Sequence, residues 1–388
     1  MKKVFISFFV AALLLMGGCG NSVDLKRADT TLRQIITHYD AGYASLFNET
    51  YPYREDGRVT YLAGTDTLQG RRVAYLWPTS GLFTAVNMLL QSSGDKKYEA
   101  LLDTLIIPGL QNYFDTSREP ECYQSYIIQA NKSDRFYDDN VWIALDYLEA
   151  YTMTGKEAYL ERSKLLWEFI ISGWDDNAGG GIYWNEQRKL SKNTCSNAPA
   201  AVLAFKLFEI TDDYDFFEKG LDIYVWTKET LQDHSDHLYF DNIDLEGNID
   251  RRKYAYNSGQ MMQAAALLYN ITGEKTFLEE AEKIGESAIF YFTENFEAAD
   301  GSRFRLFRNT DNWFIAVMMR GYTELYNIDK NPEFLQIFKE NMDHVWENVR
   351  DENGLFSRDF SGEVDDQYKW LLDQAGLVEM WASLAGSL

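Results

Sequence analysis

The stretch MTGKEAYLERS, residues 153–163, joins an apolar segment to an amphipathic one through a short turn that contains a glycine. Glycine commonly ends a helix because it adopts the left-handed backbone conformation, and the polar residues after it can begin the next helix. Similar turns, which contain Gly or Asp and precede an aromatic residue, recur in SSGDKKYEALL (92–102), ITDDYDFFEKG (210–220), ITGEKTFLEEA (271–281) and NIDKNPEFLQI (327–337). These turns predict a helical hairpin that repeats along the chain.

The two helices of each hairpin differ in their polarity. The helix before each turn is apolar on nearly every side, as in APAAVLAFKLF (198–208), whereas the helix after it has one polar face, as in AYLERSKLLWEFI (158–170). A helix that is apolar all round is buried, and one with a polar face lies at the surface. Inner helices are expected to begin near Trp77, Asp138, Asn197, Asn257, Asn312 and Tyr368. Six hairpins closed into a ring would bury every inner helix, so the repeat predicts an all-α (α/α)6 barrel.

The N-terminus has the plan of a targeting segment. The first 20 residues, MKKVFISFFVAALLLMGGCG, combine a basic start, a short apolar run and small residues before Cys19. This pattern is typical of a bacterial lipoprotein, in which the cysteine is lipidated after cleavage; an ordinary secretion signal with an incidental cysteine is the alternative. We expect a signal peptide at residues 1–18, a lipidated tether at residues 19–30 and one domain over residues 31–388. The protein would then be an outer-membrane lipoprotein, held by its lipid alone and facing the periplasm or the cell surface.

Charge and composition exclude several functions. The chain has 60 acidic and 37 basic residues, a net charge of −23, which opposes binding to nucleic acid and permits a neutral substrate. Cys122 and Cys195 could form a disulfide, but two residues do not establish one. The histidines have no metal-binding spacing; they are His38, His234, His237 and His344. We therefore expect no metal and no cofactor, and a monomeric protein.

Polar connections precede the inner helices and should gather at one end of the ring. GWDDNAGGGIYWNEQ (173–187) and DHLYFDNIDLEGN (236–248) suggest short hairpin strands on this rim. Amides, carboxylates and aromatic rings converge there, a mixture that suits a carbohydrate, although any single Asn or Asp could be only a helix cap. The predicted substrate-binding residues are Trp77, Asn140, Trp184, Asn193, Asn197, Tyr256, Asn257, Gln260, Asp365 and Asp366.

Asp138 and Asp139 stand where a polar loop meets the second inner helix, and they could be a helix cap with its neighbour or a catalytic pair. Retaining glycosidases need two carboxyl groups about 5 to 5.5 Å apart, and adjacent residues at such a junction keep their carboxyls within several ångströms. A helix N-terminus favours the anion of one carboxyl, while burial and the neighbouring charge raise the pKa of the other. We expect Asp138 and Asp139 to be the catalytic pair. Asp365 and Asp366, which we expect at the start of the last inner helix, are the rival candidates.

Four segments taken together resemble glycoside hydrolase family 76: YDDNVWIALDYLEAY (137–151), GGGIYW (179–184), NTCSNAPAA (193–201) and YNSGQMMQAAALLY (256–269). The resemblance implies an (α/α)6 endo-acting α-1,6-mannanase that retains the anomeric configuration and whose partner is α-mannan. It also implies that Asp138 is the nucleophile and Asp139 the general acid/base. Hydrolysis and transglycosylation both pass through the same glycosyl-enzyme intermediate, so the choice between them stays open.

Two other classes of function remain as alternatives. A glycan-binding lipoprotein without catalysis would share the lipid anchor and the aromatic rings. Another (α/α)6 enzyme, an epimerase or an unsaturated-uronide hydrolase, would need histidines or basic groups on the rim, and the predicted rim is acidic without histidine.

Overall fold

The computed structural model describes residues 19–54 and 73–388, so the predicted signal peptide at residues 1–18 lies outside the described residues. The helices are α1 (Cys19–Tyr39), α2 (Leu76–Ser93), α3 (Lys96–Leu101), α4 (Ile107–Leu110), α5 (Tyr137–Thr154), α6 (Glu157–Ile171), α7 (Thr194–Thr211), α8 (Tyr214–Leu231), α9 (Ala255–Thr272), α10 (Lys275–Phe292), α11 (Asn312–Asp329), α12 (Glu333–Asn348) and α13 (Leu371–Ser387). A π-helical turn, Leu102–Ile106, joins α3 to α4. In these ranges no helix is both long and apolar enough to cross a membrane.

Within the described part of the chain, six helices form a closed inner ring. In ring order these are α2, α5, α7, α9, α11 and α13, and α13 packs against α2 to close the circle. The helices α3 with α4, α6, α8, α10 and α12 lie outside this ring, and α1 packs on the outer side of α13. The predicted (α/α)6 barrel is confirmed.

The sixth outer helix comes from the start of the chain, which corrects the predicted tether. In α1 the side chains of Asp24, Arg27 and Ala28 are buried. Arg27 pairs with Asp24 at 3.2 Å and also with Asp343 of α12. The five turns of the repeat supply only five outer helices, so α13 needs α1 to cover its outer side. Residues 24–30 therefore belong to the folded domain, and the predicted boundary at residue 31 is wrong.

The five predicted turns are helix C-caps. Each cap residue has a left-handed backbone, with φ between 57° and 72°, and donates its backbone N–H to the carbonyl four residues earlier. This geometry satisfies a carbonyl that the end of a helix would otherwise leave unpaired. The cap residues are Gly94, Gly155, Asp212, Gly273 and Lys330.

Small residues allow the inner helices to approach one another closely. A Cβ added at Gly259 of α9 would lie 2.4 Å from the Cα of Met318, and one added at Gly321 of α11 would lie 2.5 Å from the carbonyl oxygen of Gly259. No side chain fits at either distance, so the α9–α11 crossing requires both glycines.

All the strands of the described chain lie in connections that lead into inner helices. They are β1 (Thr50–Tyr51), β2 (Phe114–Asp115), β3 (Cys122–Tyr123), β4 (Ser191–Asn193), β5 (Phe240–Asp244), β6 (Ile249–Lys253), β7 (Thr293–Glu297), β8 (Arg303–Phe307) and β9 (Lys369–Trp370). They pair antiparallel as β2–β3, β4–β5–β6, β7–β8 and β1–β9. These short sheets form a rim over the N-termini of the inner helices, as the sequence predicts.

Candidate active site

Asp138 and Asp139 are the second and third residues of α5, and the rim fixes the start of this helix. The backbone N–H of Tyr137 donates to the carbonyl of Trp184 at 3.0 Å, so the loop of residues 173–187 is attached to the first turn of the helix. Arg135, which is buried just before the helix, pairs with Glu186 of the same loop. Both aspartates keep a partly exposed surface at the mouth of the ring. Their position is thus set by two separate connections to one rim loop.

Among the residues that the structure describes, hydrogen-bond donors contact only one of the two carboxyl oxygens of Asp138. Its Oδ2 accepts from Trp184 Nε1 at 3.0 Å and from Cys195 Sγ at 3.4 Å. Its Oδ1 is buried, and no donor in the described ranges contacts it. Burial raises the pKa of Asp138 to about 6, and the hydrogen bonds from Cys195 and Trp184 oppose that rise.

Asp139 has a different environment. Burial, followed by the negative charge of Asp138, raises the pKa of Asp139 well above the usual value of a carboxyl group. No hydrogen bond opposes these two effects, so Asp138 loses its proton first and Asp139 keeps its own. The pair therefore combines one ionised and one protonated carboxyl near neutral pH, which is the division that acid and nucleophile roles require.

An aromatic wall, consisting of Trp77, Tyr256, Trp313 and Phe314, lies in the first turns of α2, α9 and α11; Trp77 is half-buried and the other three rings are buried. Tyr256 stacks on Phe314 with ring centroids 4.3 Å apart, and Trp77 stacks on the same ring at 6.1 Å. Trp313 meets Trp77 edge-on at 5.5 Å. Flat rings of this kind cover the apolar faces of sugars. The structure thus brings the predicted residues Trp77 and Tyr256 together through two rings of α11.

Asn140 and Asn197 do not face the mouth, which corrects their predicted role in substrate binding. Asn140 Oδ1 accepts from the backbone N–H of Tyr123 at 2.8 Å, and its Nδ2 donates to the carbonyls of Tyr123 and Phe136. Asn197 makes the same three bonds, to both backbone groups of Ile182 and to the carbonyl of Asn193. Each amide is fully used in holding a rim loop on its helix, so neither can bind a sugar hydroxyl.

The fourth residue of an inner helix performs this structural task repeatedly. Gln374 of α13 bonds both backbone groups of Phe356, and Ser258 of α9 accepts from the backbone N–H of Tyr239. Asn140 and Asn197 are likewise the fourth residues of α5 and α7. The second residues of the inner helices are different in kind, and they are Trp77, Asp138, Cys195, Tyr256, Trp313 and Leu372.

Two other predicted amides, Asn193 and Asn257, lie at the starts of inner helices. Asn193 is 6% exposed at the start of α7, and its Oδ1 accepts from Ser191 Oγ at 2.7 Å. Asn257 lies next to Tyr256, and neither amide atom of its side chain has a hydrogen-bond partner within residues 19–54 and 73–388. Asp241, a buried carboxylate of β5, was not singled out from the sequence; burial raises its pKa, against the hydrogen bond that Asn242 donates to it at 3.0 Å.

Gln260 lies one turn deeper on α9 than Asn257. Its amide donates to Gln263 Oε1 at 2.9 Å. Its Oε1 is buried and has no hydrogen-bond partner within residues 19–54 and 73–388. The predicted contact between Gln260 and a substrate would therefore involve this oxygen alone.

Asp365 and Asp366 do not begin the last inner helix, and this corrects their prediction as a rival catalytic pair. They lie in the loop before β9, and α13 starts later, at Leu371. The side chain of Asp365 is 83% exposed and pairs with Lys369 at 2.7 Å, while Asp366 accepts from the backbone N–H of Arg358. Neither carboxyl lies at the mouth of the ring.

Asp373 occupies the helical position that the sequence assigned to Asp365 and Asp366. It is the third residue of α13, as Asp139 is of α5. Arg358 bridges Asp373 at 3.0 Å and Asp311 at 2.8 Å, and it also lies over the ring of Trp370. Burial raises the pKa of Asp373 to about 7, against the positive charge of Arg358. The equivalence with Asp139 could have identified Asp373 if the start of α13 had been known.

Neither Cys122 nor Cys195 forms a disulfide, and both are buried. In the described ranges, no group of three or more His, Cys, Asp or Glu side chains is placed to hold a metal ion. Cys195 was not singled out from the sequence as a site residue. Only its place as the second residue of α7, equivalent to Asp138 on α5, could have indicated it.

Comparison with known proteins agrees with this fold. A solved family 76 glycoside hydrolase from a bovine Bacteroides thetaiotaomicron strain matches with a TM-score of 0.85 and 34% identity, over 93% of this chain and 77% of that chain. An inactive variant of a Salegentibacter α-1,6-mannanase, with two consecutive aspartates replaced by asparagine and α-1,6-mannotriose bound, matches with a TM-score of 0.74 and 25% identity, over 93% and 99%.

Fungal relatives and a family model extend the comparison. A mannan endo-1,6-α-mannosidase of Candida albicans is 26% identical over 175 residues, which are 41% of this chain and 39% of that protein. The chain thus spans less than half the length of this curated relative, and 53% of a relative from Schizosaccharomyces pombe. The model of glycosyl hydrolase family 76 matches residues 26–305, well over half of the chain. The chain therefore belongs to glycosyl hydrolase family 76.

Proposed function

We propose that this protein is an endo-acting α-1,6-mannanase that works by double displacement with retention of anomeric configuration. Asp138 attacks the anomeric carbon while Asp139 gives its proton to the leaving oxygen. Asp139 then takes a proton from the water, or from the sugar hydroxyl, that replaces Asp138 on that carbon. The observation that carries the proposal is the pair of adjacent carboxyls in the first turn of α5. In the part of the chain that the structure describes, only Asp138 of the two accepts hydrogen bonds, from Trp184 and Cys195. Burial and the charge of Asp138 raise the pKa of Asp139.

The local electrostatics support these two roles. Asp138 lies in the first turn of α5, where backbone amides and the helix dipole stabilise an anion. Two side-chain donors add to this effect at Oδ2. Asp139 has no such donor, and it gains a proton partly because Asp138 carries the negative charge. Once Asp138 is bonded to the sugar that charge is lost, so the pKa of Asp139 falls and the residue becomes a better base.

The form of the mouth supports a neutral sugar as the substrate. The half-buried ring of Trp77 in the aromatic wall offers a stacking surface, and the carboxylates of the rim disfavour anionic glycans such as uronides. The Candida relative is named a mannan endo-1,6-α-mannosidase, and the Salegentibacter neighbour holds α-1,6-mannotriose. These names support α-1,6-mannan in particular. A protein that only bound glycans would have no need for a protonated carboxyl beside an ionised one.

Product analysis on a defined substrate tests the proposal. Wild-type protein, Asp138→Asn and Asp139→Asn are incubated with linear α-1,6-mannan, and NMR follows which anomer of the released reducing ends forms first. We expect α-configured oligosaccharides of several lengths from the wild type and almost none from either variant. Products that first appear in the β configuration would exclude retention, and the absence of any product would exclude the mannanase function. Asp365→Asn is the matched control, since it makes the same change in an exposed Asp–Asp pair.

We also propose that Cys19 carries a lipid that attaches the protein to the outer membrane. The basis is the signal pattern of residues 1–20. Cells fed a labelled fatty acid should yield labelled wild-type protein in the membrane fraction, whereas Cys19→Ser should be unlabelled. Unlabelled wild-type protein would reject the anchor.

A further inference from the structure

We propose that Asp138 attacks through Oδ1, and that Cys195 is a positioning residue which, together with Trp184, holds Oδ2 as the oxygen that does not attack. This inference rests on the proposed role of Asp138 as nucleophile. It goes beyond that role because it assigns the two carboxyl oxygens to different tasks and gives a function to a cysteine that the double displacement itself does not use.

The hydrogen bonds around Asp138 distinguish its two oxygens. Oδ2 accepts from Trp184 Nε1 at 3.0 Å and from Cys195 Sγ at 3.4 Å, so two donors occupy its lone pairs. Oδ1 is buried and has no hydrogen-bond partner in the part of the chain that the structure describes. A buried carboxyl oxygen without a donor is costly, whereas the same oxygen is available to form a bond with carbon. Oδ1 is therefore the oxygen with a free lone pair for attack.

The barrel repeat explains why Cys195 is the residue in this place. Cys195 is the second residue of α7 and Asp138 is the second residue of α5, and these helices are neighbours in the inner ring. Their side chains consequently meet across the seam between the two helices. Cys195 is 4% exposed, so bulk water does not compete for the contact.

Three titratable groups lie around the thiol of Cys195: Asp138 from α5, Asp241 from β5 and Tyr256 from α9. Burial and the two carboxyls raise the pKa of this thiol well above its usual value, whereas the hydrogen bond with Tyr256 lowers it. A protonated thiol is a donor, and Asp138 Oδ2 lies 3.4 Å from Sγ as its acceptor. Cys195 thus acts as a weak, uncharged donor beside the nucleophile.

This arrangement has a defined role in each step of the reaction. In the first step the Oδ1–C1 bond forms, the bond from C1 to the leaving oxygen breaks, and the proton of Asp139 moves to that oxygen. Oδ2 is then the carbonyl oxygen of an ester and still accepts from Trp184 and Cys195. In the second step water bonds to C1, its proton moves to Asp139 and the Oδ1–C1 bond breaks. The two donors stabilise the carboxylate that departs, so their loss should slow this step.

The pH profile of kcat/KM separates this role from simple packing. In Cys195→Ala a donor to the ionised form of Asp138 is lost, so the pKa of Asp138 rises and the acid limb should move up by about half a pH unit. Cys195→Ser retains a hydroxyl donor at the same place, and we expect its acid limb to stay at the wild-type position. Cys122→Ala is the control, because Cys122 is also buried but its thiol contacts the carbonyl of Tyr123. An unshifted acid limb in Cys195→Ala, with folding intact by circular dichroism, would overturn the role of Cys195.

A structure of the trapped intermediate tests the assignment of the oxygens directly. A 2-deoxy-2-fluoro α-mannosyl fluoride, extended by an α-1,6-linked mannose, should form a long-lived ester with wild-type protein. We expect the sugar on the oxygen that faces away from Trp184 Nε1 and Cys195 Sγ. A sugar on the oxygen that faces these donors would overturn the inference.

Asp138→Asn distinguishes failure of this inference from failure of the proposed function. If Asp138→Asn keeps its turnover, Asp138 is not the nucleophile and the proposed function itself is wrong. If Asp138→Asn is inactive while Cys195→Ala keeps the wild-type acid limb, only the positioning role of Cys195 fails.

Discussion

Asp138–Asp139 and Asp365–Asp366 are two of the Asp–Asp pairs on the rim, and their surroundings differ in every respect that matters for catalysis. Asp138 and Asp139 lie in the first turn of a buried helix, and burial raises the pKa of both. Asp365 is exposed, and its hydrogen bond with Lys369 lowers its pKa. The same dipeptide is thus a candidate catalytic pair in one place and a solvated turn in the other. Position on the fold, rather than adjacency in sequence, decides which chemistry is available.

The largest expected difference between the pairs is in turnover. Asp138→Asn removes the nucleophile, so kcat on linear α-1,6-mannan should fall by about 10⁴-fold or more, with binding of oligosaccharide largely kept. Asp365→Asn should stay within about twofold of the wild type, since the side chain contacts solvent and Lys369. Steady-state kinetics and calorimetric titration of the two variants measure the contrast. Comparable losses of kcat in both variants would contradict the proposed difference between the two Asp–Asp pairs.

Asp139→Asn should have a smaller effect that depends on the leaving group. Proton donation typically contributes about 10²- to 10⁴-fold, so hydrolysis of mannan should fall by that amount. A dinitrophenyl α-1,6-mannobioside needs little proton donation, and formation of the glycosyl-enzyme on it should be affected least. Rapid release of dinitrophenol followed by slow turnover would identify Asp139 as the acid/base. Equal losses on both substrates would contradict that assignment.

Trp184→Phe should weaken the nucleophile without removing it. The change deletes the Nε1–H donor to Asp138 Oδ2, and a hydrogen bond to a charged group contributes about 1.5 to 3 kcal/mol. We expect kcat/KM to fall about 10- to 100-fold and its acid limb to move to higher pH. Trp226→Phe is the matched control, since its Nε1–H donates to the carbonyl of Ala178 at 3.0 Å. An identical pH profile in Trp184→Phe and wild type would show that this bond does not hold Asp138 ionised.

The smallest expected effect is on stability, and its sign should differ between the pairs. The raised pKa of Asp139 means that the folded state keeps a proton which the unfolded chain loses above its pKa of about 3.9, so stability falls as pH rises. Asp139→Asn should therefore raise Tm at pH 7 by a few degrees, and the gain should vanish near pH 3. The lowered pKa of Asp365 gives a contribution that is present above the unfolded pKa, so Asp365→Asn should leave Tm unchanged or slightly lower.

Thermal denaturation at pH 3 and pH 7 measures both variants. A stabilisation of the same size in the two would indicate that general charge repulsion, rather than burial of Asp139, is responsible.

The repeat allowed the ring to be predicted, and with it the place of Asp138 and Asp139 at the start of an inner helix, because helix caps and apolar faces are local features of sequence. The role of α1 was missed, since nothing in residues 24–30 indicates that a helix from the start of the chain covers α13 at its end. The roles of Asn140 and Asn197 were misjudged for a related reason. A buried amide that binds backbone and one that binds sugar look alike in sequence, and only the neighbouring loop distinguishes them.

The last inner helix shows how a small error in a boundary changes the predicted site. The sequence predicts a start near Tyr368, whereas the helix starts at Leu371. The predicted start placed Asp365 and Asp366 in the candidate site and left Asp373 unidentified. The irregular loop before β9 carries no cap signal that could fix this start. Cys195 was missed because one cysteine in an apolar helix ordinarily indicates packing.

The most direct test of the central claim is the mass of the trapped glycosyl-enzyme. Wild-type protein is incubated with the extended 2-deoxy-2-fluoro α-mannosyl fluoride, digested with protease and mapped by tandem mass spectrometry. If Asp138 is the nucleophile of a retaining enzyme, one fluoroglycosyl group should be found on Asp138 and nowhere else. A label on Asp139 or on another carboxylate, or turnover with no covalent label, would contradict the claim.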